Sequence, residues 1–445
     1  MSHRDHAPVR VCGPLNLHRS RDSTGDTDMG KNQGAPGGTP SRRRMLRLAG
    51  GGLALTALGA GASGCREDTA GGGGGDTGGG PDSPAASDGP AEGAPGGGGQ
   101  APEPQWTKTT SARTYGDNDE LVAVDGVVIA TGDPVTARDA KTGKPKWSPP
   151  GGAVPGAPLL LGNGTLYLAS GTYDGTVHGY EPVSGKETWR SRLGTGYRQP
   201  RPIAVDDGQV YVIAEILEAD GSSHTNVIAA LDGGSGRPAW KRQRDLGTEQ
   251  NGIHAAVSGR YLVYTDVKKN LTVRDTATGG QVWTQKTTKT NYGAFAVHRD
   301  LVIVPQGSRL QAFALSDGSP KWSVRTDDDF ATFKEPAVVG DSLFVADSAR
   351  TLRHIEPQTG RRVWRSEDLA DARAKPPRQF VIAGDTLYGA TDLDEQGGVH
   401  AFDAGTGALR WTFNDGTGDH HAWLVTTDGT RVFALHGRKL HALPA

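Results

Sequence analysis

Eight tryptophans recur at nearly regular intervals in the C-terminal part of this 445-residue chain, and their spacing restricts the fold more than any other feature. Successive members lie 39 to 51 residues apart. They are Trp106, Trp147, Trp189, Trp240, Trp283, Trp322, Trp364 and Trp411. The last seven each close a Gly-x-x-x-Trp unit, from Gly143 with Trp147 to Gly407 with Trp411. A period of this length indicates a repeat architecture.

An acidic residue stands four positions before the glycine in six of these seven units, and Ala314 takes its place in the other. The acids are Asp139, Glu181, Asp232, Asp275, Glu356 and Asp403. A carboxylate at the start of a turn can accept amide protons of that turn, and glycine can adopt φ > 0 there. The motif therefore predicts a tight turn before each tryptophan.

Further turns lie between each tryptophan and the next acid. Eight dipeptides rich in Gly, Asp and Asn predict hairpins: 125–126, 163–164, 207–208, 258–259, 299–300, 340–341, 384–385 and 428–429. Short alternating segments such as Val399–Phe402 precede the acids, and no long apolar pattern of helical period occurs. Each unit is thus predicted to contain four antiparallel strands, A to D, with the tryptophan on strand D.

Four-stranded units of about 40 residues are the blades of β-propellers. Trp106 has no preceding Gly-x-x-x, and the last unit, 439–443, ends before any Gly-x-x-x-Trp. We therefore predict an all-β fold over 106–445, an eight-bladed β-propeller whose last blade is completed by the N-terminal strand. A ring closed in this way leaves no open sheet end.

The repeat can be matched to a family. No tryptophan is followed by aspartate, which argues against WD repeats. The pattern Ala-x-Asp-x-x-Thr-Gly-x-x-x-Trp, as in 401–411, resembles the pyrroloquinoline-quinone-like repeat. This repeat is named for quinoprotein alcohol dehydrogenases and is shared with the propeller lipoprotein of the outer-membrane β-barrel assembly machinery. The resemblance spans 106–445 and implies the fold, whereas the repeating residues leave function open.

The N-terminal region predicts export and lipidation. Arg42 and Arg43 precede the uncharged run 48–64, which resembles a twin-arginine signal, and 62–65 resembles a lipobox ending at Cys65. We expect residues 1–64 to be a signal peptide and Cys65 to be lipidated. The protein would then be held at the extracytoplasmic face of the cell membrane. Residues 1–28 fit no part of the signal, so Met29 is an alternative start.

Residues 66–105 contain no Val, Leu, Ile, Met, Phe, Tyr or Trp and are rich in Gly and Pro. Without apolar side chains to bury, such a segment is expected to remain unfolded. We predict that 65–105 comprises the lipidated cysteine and a disordered tether.

Composition excludes several classes of site. The two cysteines, Cys12 and Cys65, lie before the propeller, which therefore has no disulfide, cysteine zinc site or catalytic thiol. A net charge of -2 gives no reason to expect a nucleic-acid partner. His178, His400 and His441 share one strand-C position that varies among blades, which predicts variable surface or interblade residues. The run 327–329 is read as solvated acids.

Two functions remain open. A quinone-dependent oxidoreductase is the enzymatic alternative that the resemblance suggests. Those enzymes carry adjacent cysteines and inserted segments, and this propeller has no cysteine and little room for insertions. We expect instead a non-catalytic, monomeric propeller without a cofactor, which binds an envelope protein or ligand.

The residues just before each A strand do not repeat, and they predict the binding face. Trp423 is the tryptophan outside the regular series. The candidates are Tyr197, Arg198, Gln199, Asn251, His254, Asn291, Tyr292, Lys334, Glu335, Arg378, Gln379, His420, His421 and Trp423. We expect Arg198, Arg378 and Trp423 to be exposed there. The alternative is that these side chains plug the central channel and bind one another.

Overall fold

The structure is a computed structural model that describes most of the chain from residue 98 onward. The described residues are 98–112, 120–132, 134–149, 159–169, 175–216, 219, 225–244, 255–265, 270–287 and 295–445. The predicted signal peptide, with Arg42, Arg43 and Cys65, and the tether up to residue 97 lie outside them.

The described residues form strands and one four-residue helix. In chain order they are β1 (Gly99–Gln100), β2 (Trp106–Thr109), β3 (Leu121–Val124), β4 (Val127–Ala130), β5 (Thr136–Asp139), β6 (Pro145–Trp147), β7 (Leu160–Gly162), β8 (Thr165–Ala169), β9 (Val177–Tyr180), β10 (Glu187–Arg190), β11 (Tyr197–Val205), β12 (Gln209–Ile216), β13 (Asn226–Asp232), β14 (Pro238–Arg244), β15 (Ala255–Ser258), β16 (Tyr261–Thr265), β17 (Asn270–Asp275), β18 (Gln281–Lys286), β19 (Ala296–His298), β20 (Leu301–Gln306), β21 (Arg309–Ala314), β22 (Pro320–Arg325), β23 (Ala337–Val339), β24 (Ser342–Ala346), β25 (Leu352–Ile355), β26 (Arg362–Ser366), α1 (Asp368–Asp371), β27 (Pro377–Ala383), β28 (Thr386–Thr391), β29 (Val399–Asp403), β30 (Leu409–Phe413), β31 (Trp423–Thr427), β32 (Arg431–His436) and β33 (Lys439–Pro444). No helix in the described part of the chain is long and apolar enough to cross a membrane.

These strands form the predicted eight-bladed β-propeller. Blades 1 to 7 each take four consecutive strands, from β3–β6 in blade 1 to β27–β30 in blade 7. Blade 8 combines β31–β33 with the N-terminal strand β2, which pairs antiparallel with β33 from Trp106 opposite Ala442 to Thr109 opposite Lys439. The first strands of neighbouring blades contact one another, including β27 with β31 and β31 with β3. The prediction of a ring closed by the N-terminal strand is confirmed.

The predicted turn chemistry is also confirmed. In the turn after β17, one Asp275 oxygen accepts hydrogen bonds from the backbone and the hydroxyl of Thr278, at 3.0 and 2.9 Å. Gly279 in the same turn has φ +68°, and a Cβ there would lie 2.4 Å from the ring of Trp240 in the preceding blade. Glycine is therefore required both by the backbone conformation and by the indole that packs against it.

Seven of the eight regularly spaced tryptophans are each hydrogen-bonded to the next blade through their indole ring. Its Nε1 donates a hydrogen bond to a main-chain carbonyl of the following turn. The acceptors are Ala140 for Trp106 (3.2 Å), Pro182 for Trp147 (2.8 Å), Asp232 for Trp189 (3.2 Å), Thr276 for Trp240 (2.6 Å), Leu315 for Trp283 (2.8 Å), Pro357 for Trp322 (2.9 Å) and Ala404 for Trp364 (3.0 Å).

Trp411 differs from the other seven because none of the described residues accepts a hydrogen bond from its indole. Blade 8 takes its outer strand from the N-terminal side of the chain, so no C–D turn follows β33 into β2. Instead β1 adds a fifth, parallel strand to blade 7, with Gly99 opposite Trp411 and Gln100 opposite Thr412.

This pairing shows that the predicted tether is wrong for its last residues, 98–105. Apolar side chains are not required here, because β1 is held by main-chain hydrogen bonds. Glycine also permits the close approach, since a Cβ on Gly99 would lie 3.3 Å from the carbonyl oxygen of Arg410. The folded part of the chain therefore begins before Trp106.

We predict that Trp240→Ala lowers the free energy of unfolding by about 3 to 5 kcal/mol, because it removes a buried ring and an interblade hydrogen bond. Trp240→Phe is the matched control. It keeps an aromatic ring over Gly279 and loses the donor to Thr276, so it should cost clearly less. Urea denaturation measures both changes, and a loss below about 1 kcal/mol for Trp240→Ala would show that the indole does not hold the blades together.

Candidate functional site

The D–A face is the surface formed by the loops that join strand D of one blade to strand A of the next, with the B–C loops beside them. The predicted binding residues belong to these loops or to the first residues of the A strands. Four of them, Asn251, His254, Asn291 and Tyr292, lie outside the described residues.

Several predicted residues do reach solvent on this face. Arg198, Lys334 and His420 are exposed, and Tyr197, Gln199, Glu335, Gln379 and His421 are partly buried. The Arg198 guanidinium lies 3.7 Å from the buried carboxylate of Glu215, and the His420 imidazole lies 2.5 Å from Glu395. The Lys241 ammonium stands 4.9 Å from the centre of the Tyr197 ring. Arg198, Lys334 and His420 belong to different blades, so the exposed candidates are spread around the face.

The expectation that Trp423 and Arg378 are exposed is wrong. Trp423 is completely buried at the start of the innermost strand β31, with its ring stacked 4.2 Å from that of His436. The edge of the indole meets Phe413 of blade 7, and Gly397 leaves room for it. Arg378 is 8% exposed and approaches Asp392 at 3.6 Å. Both side chains are buried against neighbouring strands and loops and are not exposed for binding.

Gln379 joins blades 7 and 8, because its side-chain oxygen accepts a hydrogen bond from the backbone of Val425 at 2.8 Å.

A buried polar cluster lies at the same boundary between blades 7 and 8. Asp415 places one oxygen 3.1 Å from His436 and the other 3.5 Å from His441, and all three side chains are almost fully buried. The other ring nitrogen of His441 lies 3.0 Å from the hydroxyl of Thr107 on β2. The cluster thus connects the loop before blade 8 with both chain-terminal strands.

The histidines that share a strand-C position, His178, His400 and His441, are buried, so they are not the surface residues that the prediction allowed. Burial lowers the pKa of His400 to about 4, which keeps the ring neutral, although its hydrogen bond to the carbonyl of Lys375 acts in the opposite direction. In the described part of the chain no group of three or more His, Cys, Asp or Glu side chains is arranged to hold a metal ion.

Burial of Asp415 would by itself raise the pKa of its carboxyl, but the hydrogen bonds with His436 and Thr417 and the nearby imidazole of His441 outweigh this effect and hold the pKa well below its usual range. A carboxyl whose pKa is lowered by folding stabilises the protein above its unfolded pKa. That stabilisation is lost as the pH falls toward the folded value.

We therefore predict that Asp415→Asn destabilises the protein by about 3 kcal/mol at pH 7, because it leaves buried histidines without their carboxylate. The difference from the wild type should shrink below about pH 4, where the carboxyl of the unfolded wild type gains a proton while that of the folded protein stays charged. Thermal unfolding between pH 3 and 8 tests this. Asp385→Asn, which removes an exposed carboxylate paired with Arg410, is the control and should have a much smaller effect at pH 7. A constant Asp415→Asn penalty at every pH would contradict the assignment.

Phe330 is the residue of the D–A face that sequence reasoning missed. It lies in the loop between blades 5 and 6 and is 94% exposed, far more than Val282 and Val363, at 39% and 47%. The sequence did offer one indication of this exposure, because Phe330 is an apolar residue that directly follows three acids in a loop.

The loop that carries Phe330 is anchored by a buried ion pair. Arg353, 1% exposed, contacts Asp347 at 2.6 Å and Asp327 at 2.7 Å, and lies 5.3 Å from the centre of the Phe333 ring. A hydrogen bond from Arg353, together with its positive charge, lowers the pKa of Asp327. All three acids of 327–329 are exposed, as predicted for a solvated run, and the half-exposed carboxylate of Asp327 is also paired with arginines.

The amino-acid sequence matches the model of a known protein family. The model of the family described as outer membrane protein assembly factor BamB matches residues 134–250 and 224–388, more than half of the chain. The outer membrane protein assembly factor BamB of Bordetella pertussis is 23% identical over 279 residues, which are 61% of this chain and 68% of that protein.

The chain is also similar to solved structures. The computationally designed protein Ika8 is 13% identical with a TM-score of 0.54, over 76% of this chain and 100% of that chain. The quinohemoprotein alcohol dehydrogenase from Comamonas testosteroni is 12% identical with a TM-score of 0.49, over 77% of this chain and 76% of that chain. Identities this low bear on the fold and do not bear on activity.

Proposed function

Because the chain belongs to the family of the outer membrane protein assembly factor BamB, we propose that its propeller is a non-catalytic module that binds an envelope protein through the D–A face. The observation that carries this proposal is the exposure of Phe330 on a loop that Asp327 ties to the buried Arg353. Large apolar side chains held outside the core are typical of protein-binding surfaces. The exposed Arg198, Lys334 and His420 supply polar groups around the same face.

We further propose that the protein is exported and lipid-anchored, because Arg42 and Arg43 precede an uncharged run that ends at Cys65. Replacing both arginines by Lys should abolish export, and Arg47→Lys is the matched control that should leave export intact. Labelled palmitate should enter the wild type and Cys12→Ala, and it should not enter Cys65→Ala. Normal export of the double Lys variant, or labelling without Cys65, would contradict the proposal.

Crosslinking in intact cells tests the binding role. Benzoylphenylalanine in place of Phe330 should give a discrete adduct with an envelope protein, because position 330 faces outward on the binding loop. The same group in place of Val363, an exposed apolar residue of the outer strand β26, is the control and should give none. Equal adducts from both positions, or none from any D–A face position, would argue against binding through this face.

The oxidoreductase alternative is tested on the purified protein. With calcium and pyrroloquinoline quinone we expect no bound-cofactor absorbance and no reduction of a dye by alcohols. Either signal would contradict the non-catalytic assignment.

A further inference from the structure

The loop 326–336 combines one exposed aromatic ring with two outward-facing acids. Asp328 and Asp329 directly precede Phe330, and both are exposed. Asp329 has an arginine nearby, Arg325 at 3.8 Å, and both of these side chains are more than half exposed. The third acid, Asp327, is about half exposed and is paired with Arg353 and Arg365 at 2.7 and 3.1 Å, whereas Asp328 and Asp329 are turned further toward solvent. The solvent side of the loop therefore presents Phe330 beside two carboxylates.

The loop is held in one conformation by its own polar groups. The side chain of Asp328 accepts a hydrogen bond from the backbone of Phe330 at 2.8 Å, and Thr326 donates its hydroxyl proton to the carbonyl of Asp328 at 2.8 Å. Beyond the tip, the backbone of Phe333 donates to Gly307 at 2.9 Å and that of Lys334 to Ala346 at 2.8 Å. Because the loop is ordered in advance, binding through Phe330 costs little conformational entropy.

We propose, on the basis of the binding function given above, that Phe330 is the anchor that inserts into an apolar pocket of the partner protein, and that Lys or Arg side chains border this pocket. A single aromatic ring in a desolvated pocket is typical of the residues that dominate binding energy. When the ring of Phe330 binds the partner, the carboxylates of Asp328 and Asp329 also lie at the interface. Lys or Arg side chains of the partner would pair with these carboxylates and speed association.

The same charges argue against a lipid surface as the occupant. Membrane surfaces that carry anionic lipids attract basic segments. Asp328 and Asp329 would be repelled by such a surface and would have to lose water if Phe330 entered it. The observations therefore favour a protein partner.

The test uses the full chain in intact cells, with benzoylphenylalanine in place of the exposed Thr332 so that residue 330 can be varied. Phe330→Ala should lower the adduct yield at least tenfold, and Phe330→Leu, which keeps an apolar side chain, should retain most of it. Asp328→Asn with Asp329→Asn keeps the acceptor for the backbone of residue 330 and removes both charges. This pair should lower the yield several-fold and weaken its dependence on salt in isolated membranes. The crosslinked partner peptide should lie next to Lys or Arg.

Two controls separate the outcomes. Phe330→Ala should leave the melting temperature within about 2 °C, since exposed side chains contribute little to stability. The second control mixes the Cys65→Ala chain with vesicles of phosphatidylethanolamine and phosphatidylglycerol at 7:3, and we expect that the protein does not float with them. Flotation that is lost in Phe330→Ala would overturn the proposal and indicate that Phe330 binds lipid. If Phe330→Ala leaves the adduct unchanged while Arg198→Ala or Lys334→Ala removes it, the anchor is wrong and the proposed function stands. If no D–A face position gives an adduct, the proposed function itself fails.

Discussion

Seven of the eight blades are each attached to the next by an indole that donates its proton to a carbonyl of the following turn. A four-stranded sheet of this size cannot bury both of its faces alone, so it is stable only between two neighbours. The contact imposes two requirements on the sequence. Glycine must stand at the turn because φ is positive and the ring leaves no room for a Cβ, as at Gly279 against Trp240. Tryptophan must stand on strand D, because the donor has to cross to the next blade.

The boundary between blades 7 and 8 is the exception in the described part of the ring. Trp411 faces a blade whose outer strand comes from the other end of the folded chain, and it has no turn carbonyl to bind. Other contacts hold this boundary together. Gln379 accepts a hydrogen bond from the backbone of Val425, the ring of Trp423 packs against that of Phe413, and the carboxylate of Asp415 lies between two histidines. The residues that depart from the repeat here thus stabilise the closure of the ring. This explains why Trp423 lies outside the regular tryptophan series and is nevertheless completely buried.

The sequence predicts the parts of the fold that repeat, because eight similar segments reveal which positions are constrained. The strands, the turns and the closure by β2 all follow from that comparison. Non-repeating residues are harder to assign, since variation alone does not distinguish a side chain that fills a local space from one that faces solvent. Trp423 and Arg378 are of the first kind, and Phe330 is of the second. The loop that carries Phe330 is tied through Asp327 to Arg353, which is 23 positions from Phe330 in the chain. The strand β1 could not be predicted from side chains, because its backbone forms the contacts.

Since the repeat positions are committed to holding the ring together, recognition is left to the loops, and the loop at Phe330 can serve as a rigid contact only if the ring beneath it is closed and stable. Hydrogen exchange of the intact protein measures this closure most directly. The amide of Thr110, which donates to the carbonyl of Arg438, and that of Lys108 on the same edge of β2 should exchange as slowly as those of the central strands of other blades. Exchange of β2 within seconds, with the remaining strands protected, would show that the N-terminal strand does not close the ring and would contradict the account.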